Sequence, residues 1–185
     1  MKPATRTEIR IAGTGGQGLI LAGKMLADAL ATLGKRVAQS QTYEPTSRGG
    51  FCNSDLVVSD REVDYPLATS IDYLVLLDRL AVAPSWPLVK RGTLVLADTR
   101  LCPEVPKGDV RLHQLPLSRS AIDLGSERVA NIVALGALAC MAGLCDRKTL
   151  EQAVRSETPK SFLEINLDAL AAGYKLGEGV TAAAA

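Results

Sequence analysis

The stretch Gly13-Thr14-Gly15-Gly16-Gln17-Gly18 follows an apolar run, Glu8 to Ala12, and precedes an apolar stripe from Leu19 to Leu33. A strand that ends in closely spaced glycines and turns at once into a helix leaves few folds open. Glycines there permit positive φ and close backbone approach. The stripe places Leu19, Ala22, Gly23, Leu26, Ala27, Leu30 and Leu33 on or near one helical side, and Gly34 stops it. Arg36 to Gln41 then reads as a second strand. Strand, glycine loop, helix and strand make a βαβ unit, which predicts that the first two strands pair in parallel.

The following segment, TYEPTSRGG, is loop: Pro45 forces Glu44 extended, and Gly49-Gly50 breaks regular structure. Phe51 to Val58 is predicted as a strand antiparallel to its neighbour, so the sheet is mixed. Ile71 to Leu77 is a central strand, Ala83 to Arg91 a short helix entered through Pro84, Thr93 to Ala97 a buried strand, and Val110 to Leu115 an edge strand. Arg128 to Ala142 is apolar around its circumference and predicts a deeply buried helix. Asp146 caps Arg147 to Arg155, and Ser161-x-x-Glu164 has the form of a capping box before a helix ending near Tyr174. The fold class expected is α/β: a single three-layer α/β/α domain over residues 1–176, with a mixed, mainly parallel sheet, a Rossmann-like start and a flexible tail over 177–185.

Bulk properties exclude several functions. The 185 residues carry a net charge of +1 and only 4% aromatic residues, which gives no electrostatic or stacking drive toward nucleic acid. No apolar stretch reaches the roughly 18 residues of a membrane span, and the first residues lack a signal-peptide layout. A cytoplasmic protein is expected. Cys52, Cys102, Cys140 and Cys145 show neither CxxC nor metal-finger spacing and read as free thiols. Cys140 and Cys145 are expected to pack on the buried helix as small hydrophobes.

The glycine loop leads into a helix N-terminus, whose free N–H groups and dipole favour an anion. The same glycines would also serve merely to pack the helix on the sheet, and both roles stay open. A dinucleotide site requires more: an acid about 20 residues on, at the end of the second strand. That strand ends in Gln39, Ser40, Gln41 and Thr42, and the nearest acid, Glu44, lies beyond it. Arg48, beside Gly49 and Gly50, can hold a phosphate or carboxylate bidentately, or it can pair with Glu44 or Asp55. If the first two strands are parallel, GTGGQG and TSRGG share the carboxyl edge where open α/β sheets bind ligands. Thr14, Gln17, Tyr43 and Arg48 are then the side chains available.

Catalytic equipment is sparse. The one histidine, His113, falls on a solvated edge-strand position, and there is no G-x-S-x-G, H-E-x-x-H or Walker GK[ST]. Asp72, Asp78 and Asp98 flank or end strands without a metal-ligand pattern. Asn131 opens the buried helix and is expected to hydrogen-bond a neighbouring loop.

Taken together, GTGGQG after the first strand, TSRGG after the second, NIVALGAL in the buried helix and ETPKSFLEINLDALAAGY near the end resemble the gamma subunit, or gamma domain, of the 2-oxoacid:ferredoxin oxidoreductases. That group includes the pyruvate, 2-ketoisovalerate, 2-oxoglutarate and indolepyruvate enzymes. The resemblance runs from about Glu8 to Tyr174. It implies membership of an enzyme that oxidatively decarboxylates a 2-oxoacid, usually with coenzyme A, to give an acyl-CoA and reduced ferredoxin.

Thiamine diphosphate and iron–sulfur clusters would lie in partner alpha, beta and ferredoxin-like delta subunits. This chain would hold no catalytic residue and would be inactive alone. Its candidate coenzyme A contacts are Gly13, Thr14, Gly15, Gly16, Gln17, Gly18, Ser47, Arg48, Gly49 and Gly50. Two other functions remain at this point: a stand-alone NAD(P)-dependent reductase, and a pure assembly module with an empty loop.

Overall fold

A computed structural model describes residues 6–44 and 49–183. Six strands form one sheet: β1 (Arg6–Thr14), β2 (Arg36–Tyr43), β3 (Phe51–Ser59), β4 (Ile71–Leu76), β5 (Val89–Asp98) and β6 (Arg111–Leu115), in the order β2-β3-β1-β4-β5-β6. β4, β5 and β6 run parallel to β1, whereas β3 is antiparallel to both β1 and β2. The sheet is mixed and mainly parallel, as expected.

The expected pairing of β1 with β2 does not form. β3 inserts between them, pairing along its whole length with β1 (Thr14↔Phe51 to Arg6↔Ser59) and with β2 (Tyr43↔Cys52 to Arg36↔Ser59). Eight consecutive β3 residues, Cys52 to Ser59, all buried, satisfy both ladders, which a central strand does and an edge strand cannot. Because β3 is antiparallel to both neighbours, β1 and β2 still point the same way, and their carboxyl ends share one edge.

One face of the sheet carries the main core. Ile9, Ile11, Leu56, Val75, Leu94 and Leu96 project into it and meet α1 (Leu19–Thr32), α3 (Leu117–Asp123) and α4 (Ala130–Ala142). Gly23 lets α1 approach closely, since a Cβ there would collide with Ser54 Oγ and lie 2.9 Å from Gln39 Nε2. α4 is buried from Ala130 to Ala139. Its outer side is closed by α5 (Arg147–Glu157) and α6 (Leu163–Ala183).

The opposite face has a thinner layer. Ala12, Leu74, Leu76, Val95 and Ala97 are covered by short helical turns, including α2 (Val82–Ser85), and by the connection that carries Cys102. The single helix expected over 83–91 is broken into turns at Arg79–Ala81, Val82–Ser85 and Trp86–Leu88, and β5 begins at Val89. Pro84 and Pro87 remove two N–H donors from that stretch, so a continuous helix cannot be sustained.

Two features near the C-terminus also depart from expectation. Ser161 lies inside a helical turn, Lys160–Phe162, that is entered from Pro159 without a side-chain cap, so the capping box does not form. α6 runs through Tyr174 to Ala183, making residues 177–183 helical rather than a tail. Gly177 explains the continuation: it is buried against Cys140, with a hypothetical Cβ 2.8 Å from the Cys140 Cβ. Cys145 lies beyond α4, which stops at Gly143 in the left-handed region at φ 61°. Asp146 caps α5 as expected, accepting from the Thr149 N–H at 2.9 Å.

Glu8 ties β1 to the segment before β4. It accepts from the backbone N–H groups of Thr69 and Ser70, at 2.5 and 2.6 Å, and from Arg6 at 2.7 Å. Burial pushes the Glu8 carboxyl pKa up, but the Ser70, Arg6 and Thr69 donors outweigh it and hold the net value below the ordinary 4.5. A depressed folded-state value means that Glu8 stabilises the fold above its unfolded pKa and loses this contribution as pH falls through the lower one. Glu8→Gln is therefore expected to reduce stability at neutral pH and to flatten the acid limb of a stability–pH profile measured by urea unfolding. An unaltered acid limb would remove Glu8 from that role.

Candidate functional site

The carboxyl edge gathers the ends of β1 and β2, the start of β3, and the segments leaving β4 and β5. β1 ends at Thr14, a turn follows through Gly15 and Gly16, and Gly18 caps α1 in the left-handed conformation at φ 71°. The loop is built largely from its own polar groups. Gln17 folds back so that its Oε1 accepts from the Thr14 N–H at 2.8 Å and its Nε2 donates to the Leu77 carbonyl at 3.1 Å. A Cβ on Gly13 would collide with that Oε1. Gly13 and Gln17 thus form the frame of the loop, and the Gln17 amide is committed internally.

The two glycine segments meet. The Gly15 N–H donates to the Gly50 carbonyl at 2.9 Å, and Gly49 turns at φ 84°. Ser47 and Arg48, the two remaining residues expected at the site, lie outside the described residues. The alternative pairing of Arg48 with Asp55 meets a competitor: Asp55 accepts two hydrogen bonds from Arg10, each at 2.7 Å.

Asn131 does what its position suggests. Its Nδ2 donates to the Gly18 carbonyl at 2.9 Å, so the start of α4 holds the start of α1. A Cβ on Gly18 would lie 2.6 Å from the same nitrogen. α1 itself begins without a side-chain cap and with no acid in its first turn. Its first N–H groups therefore keep their preference for an anion.

Sequence reasoning overlooked Arg128. It is exposed, makes no hydrogen bond or ion pair to a described residue, and lines a cavity of about 200 Å³ with Gly16, Gln17, Leu77 and Leu101. Its neighbour Glu127 is paired with Arg100 and does not neutralise it. The same guanidinium borders a second, more apolar cleft of about 350 Å³ that reaches Leu21, Ile132, Phe162 and Ile165. Nothing in the sequence marks Arg128, because its proximity to Gly16 arises only when α4 docks beside α1.

Other candidates have structural roles. Asp98 is fully buried and accepts from the N–H groups of Arg100, Leu101 and Ser118 and from the Ser118 hydroxyl. Asp78 caps the turn at Arg79–Ala81 by accepting from the Leu80 N–H. Asp72 pairs with Lys90. His113 is half-buried on β6, and burial together with Arg111 lowers its pKa.

The cysteines do not form a cluster site. All four are free, and among the described residues no three His, Cys, Asp or Glu side chains gather as a metal set. An iron–sulfur cluster does not fit these residues. Burial, with Asp78 and Asp98 nearby, pushes Cys102 up to about 11, and burial with Asp146 pushes Cys145 to about 11. Against the ordinary 9.0, their thiolate fractions at pH 8 fall about a hundredfold. Cys102, which is fully buried, is expected to react with a disulfide reagent only after unfolding, and the half-buried Cys145 slowly in the native state, as counted by absorbance in native buffer and in guanidinium. Rapid native labelling of Cys102 would contradict this packing.

The geometry does not suit a dinucleotide. In that fold the acid for the ribose sits on the strand adjacent to β1. Here β3 occupies that place, and Glu44 lies at the end of β2, about 10 Å and two strand spacings away.

Residues 8–176 match the family model described as pyruvate ferredoxin/flavodoxin oxidoreductase. The chain is 37% identical to the 2-oxoglutarate synthase subunit KorC of Methanocaldococcus jannaschii, over 94% of this chain and 95% of that protein. Its structure is similar to that of the keto/oxoacid ferredoxin oxidoreductase gamma subunit of Geobacter sulfurreducens PCA, with a TM-score of 0.83 and 36% identity over 94% of this chain and 99% of that one. A 2-oxoglutarate:ferredoxin oxidoreductase from Magnetococcus marinus, solved with 2-oxoglutarate, coenzyme A and succinyl-CoA bound, also aligns with a TM-score of 0.83. It is 26% identical, and the match covers 94% of this chain and 31% of that longer one. With the mixed sheet and the joined glycine loops, these similarities show that the chain belongs to the pyruvate ferredoxin/flavodoxin oxidoreductase family, as a gamma-type subunit of a multisubunit 2-oxoacid:ferredoxin oxidoreductase.

Proposed function

We propose that this gamma-type chain supplies part of the coenzyme A contact in an oxidoreductase acting on 2-oxoglutarate. The observation that carries the proposal is the bond from Gly15 to Gly50, which fuses two glycine segments beside the start of α1, where no side chain caps the helix. Backbone donors, the cavity-lining Arg128, which has no partner among the described residues, and Arg48 in the adjoining sequence suit the phosphates of coenzyme A. The thiol that accepts the acyl group would belong to that coenzyme, and this chain's residues would hold and orient its anionic part. The 2-oxoglutarate assignment rests on the relative named for that substrate.

Thiamine diphosphate and the iron–sulfur clusters are assigned to partner alpha, beta and ferredoxin-like delta subunits, with ferredoxin as electron acceptor. The chain alone is expected to be inactive.

Calorimetry of the assembled complex with coenzyme A tests the contact. Arg128→Ala and Arg48→Ala are each expected to weaken binding about tenfold, the loss of one charge-assisted contact. Unchanged affinity in both variants would overturn the contact and leave the chain as an assembly module. Activity on a panel of 2-oxoacids would test the substrate, and a preference for pyruvate over 2-oxoglutarate would overturn that part.

A further inference from the structure

β2 is the outermost strand on its side of the sheet, and among the described residues only Glu62, Val63 and Asp64 lie beside it, near Arg36, Val37 and Ala38. Its eight residues contain no proline, run along β3 without a register shift and carry one charge, Arg36, at the start. Such a strand is a template for another.

The ladder with β3 fixes which groups face outward. The Glu44 N–H donates to the Phe51 carbonyl at 3.0 Å, one step beyond the pairing of Tyr43 with Cys52. Alternation then directs the backbone groups of Arg36, Ala38, Ser40, Thr42 and Glu44 toward β3. Those of Val37, Gln39, Gln41 and Tyr43 point away from the sheet.

We propose that two copies of this chain join through β2, antiparallel, about a two-fold axis at Ser40. That register sets Val37 opposite Tyr43 and Gln39 opposite Gln41 as hydrogen-bonded pairs, using all the outward backbone groups. It also sets Ala38 opposite Thr42 and Arg36 opposite Glu44. Arg36 and Glu44 are exposed, and neither side chain has a partner among the described residues. The same pairing covers Tyr43, which is 65% exposed, with a β-branched side chain. Moving the axis to Gln39 or Gln41 keeps the ladder parity but separates the two charges and leaves outward groups unpaired.

The helical layer is compatible with this arrangement. The two-fold stands perpendicular to the sheet, so both copies of α1 lie on one face. α1 rests against β2 and β3, and the Gln39 Nε2 donates to its Ile20 carbonyl. With strands about 4.8 Å apart, the two α1 helices would run about 10 Å apart, an ordinary helix packing distance. Ile20, Ala27 and Ala31 lie within one narrow arc of α1, with Lys24 at its margin drawn to Glu157 of α5, and the two alanines permit that approach. The interface is isologous and closes on itself, as a two-fold dimer requires.

Sedimentation velocity on the purified full chain, at about 50 μM and low salt, is expected to give twice the 19.5 kDa mass of one copy. Arg36→Glu and Glu44→Arg should each raise the dimer dissociation constant about tenfold, and the double swap should restore it. Ser40 meets its own counterpart in a non-hydrogen-bonded pair, with Cα atoms about 4.5 Å apart, inside disulfide range. Ser40→Cys should therefore cross-link under mild oxidation and Thr42→Cys, opposite Ala38, should not. A monomer at that concentration, a dimer indifferent to the charge swaps, or Thr42→Cys linking as fast as Ser40→Cys would overturn the proposal.

Discussion

Gly173→Ala should destabilise the chain by about 3 kcal/mol or more, although alanine favours a helix over glycine by roughly 1 kcal/mol. α6 crosses α4 with backbone nearly touching backbone. A Cβ on Gly173 would collide with the Val133 carbonyl oxygen and lie 3.0 Å from the Ala137 nitrogen. A Cβ on Gly136, facing it from α4, would lie 2.5 Å from the Leu170 carbonyl oxygen. Backbone cannot rotate aside as a flexible side chain can, so the helices must separate and open the core that Leu135, Leu138 and Leu170 fill. Gly179 is the internal comparison. It lies in the same helix, with open space where its Cβ would be, and Gly179→Ala should stabilise by about 1 kcal/mol. Denaturant unfolding of both variants separates packing from propensity. Equal stabilisation by both would mean that α4 and α6 are not in close contact.

Asp55→Ala should cost about 3–5 kcal/mol, because it strands a buried guanidinium. Arg10 and Asp55 pair across β1 and β3 beneath the thin layer of helical turns, and both side chains are 9% exposed. Arg10 also donates to the Pro84 carbonyl at 3.3 Å, and Asn53 donates to Asp55 at 2.8 Å. Removing the carboxylate leaves the charge with the Pro84 carbonyl alone. Replacing both residues by apolar ones of similar volume should recover most of the loss, since the cost lies in the uncompensated charge more than in the missing bond. Thermal unfolding of the single and double variants tests this. A single variant within 1 kcal/mol of wild type would show that water reaches Arg10.

What the sequence disclosed and what it withheld follow from how local each signal is. The path from β1 through the glycine loop to α1 was legible because apolar runs, glycines and a helical stripe are local features. The buried helix α4 and its Asn131 were legible too, since a lone amide in an apolar helix must find a partner. The insertion of β3 was not, because strand order depends on pairings between residues about 45 positions apart, such as Arg10 and Asp55. The extension of α6 past Tyr174 was hidden for a similar reason. Gly177 and Gly179 weaken local helix preference, and the contact that sustains the helix at Gly177 comes from Cys140 on another element. At the site, the glycines announced the loop but not the internal use of Gln17. Arg128 carried no signal at all.

The most direct test of the gamma-subunit account is anaerobic isolation of the tagged chain from its native host, followed by analysis of the eluate for partner chains, iron and thiamine diphosphate. The account predicts co-purifying subunits that carry both cofactors and coenzyme A-dependent oxidation of a 2-oxoacid by the eluate. A chain recovered without cofactor-bearing partners, binding NADH by itself, would contradict it.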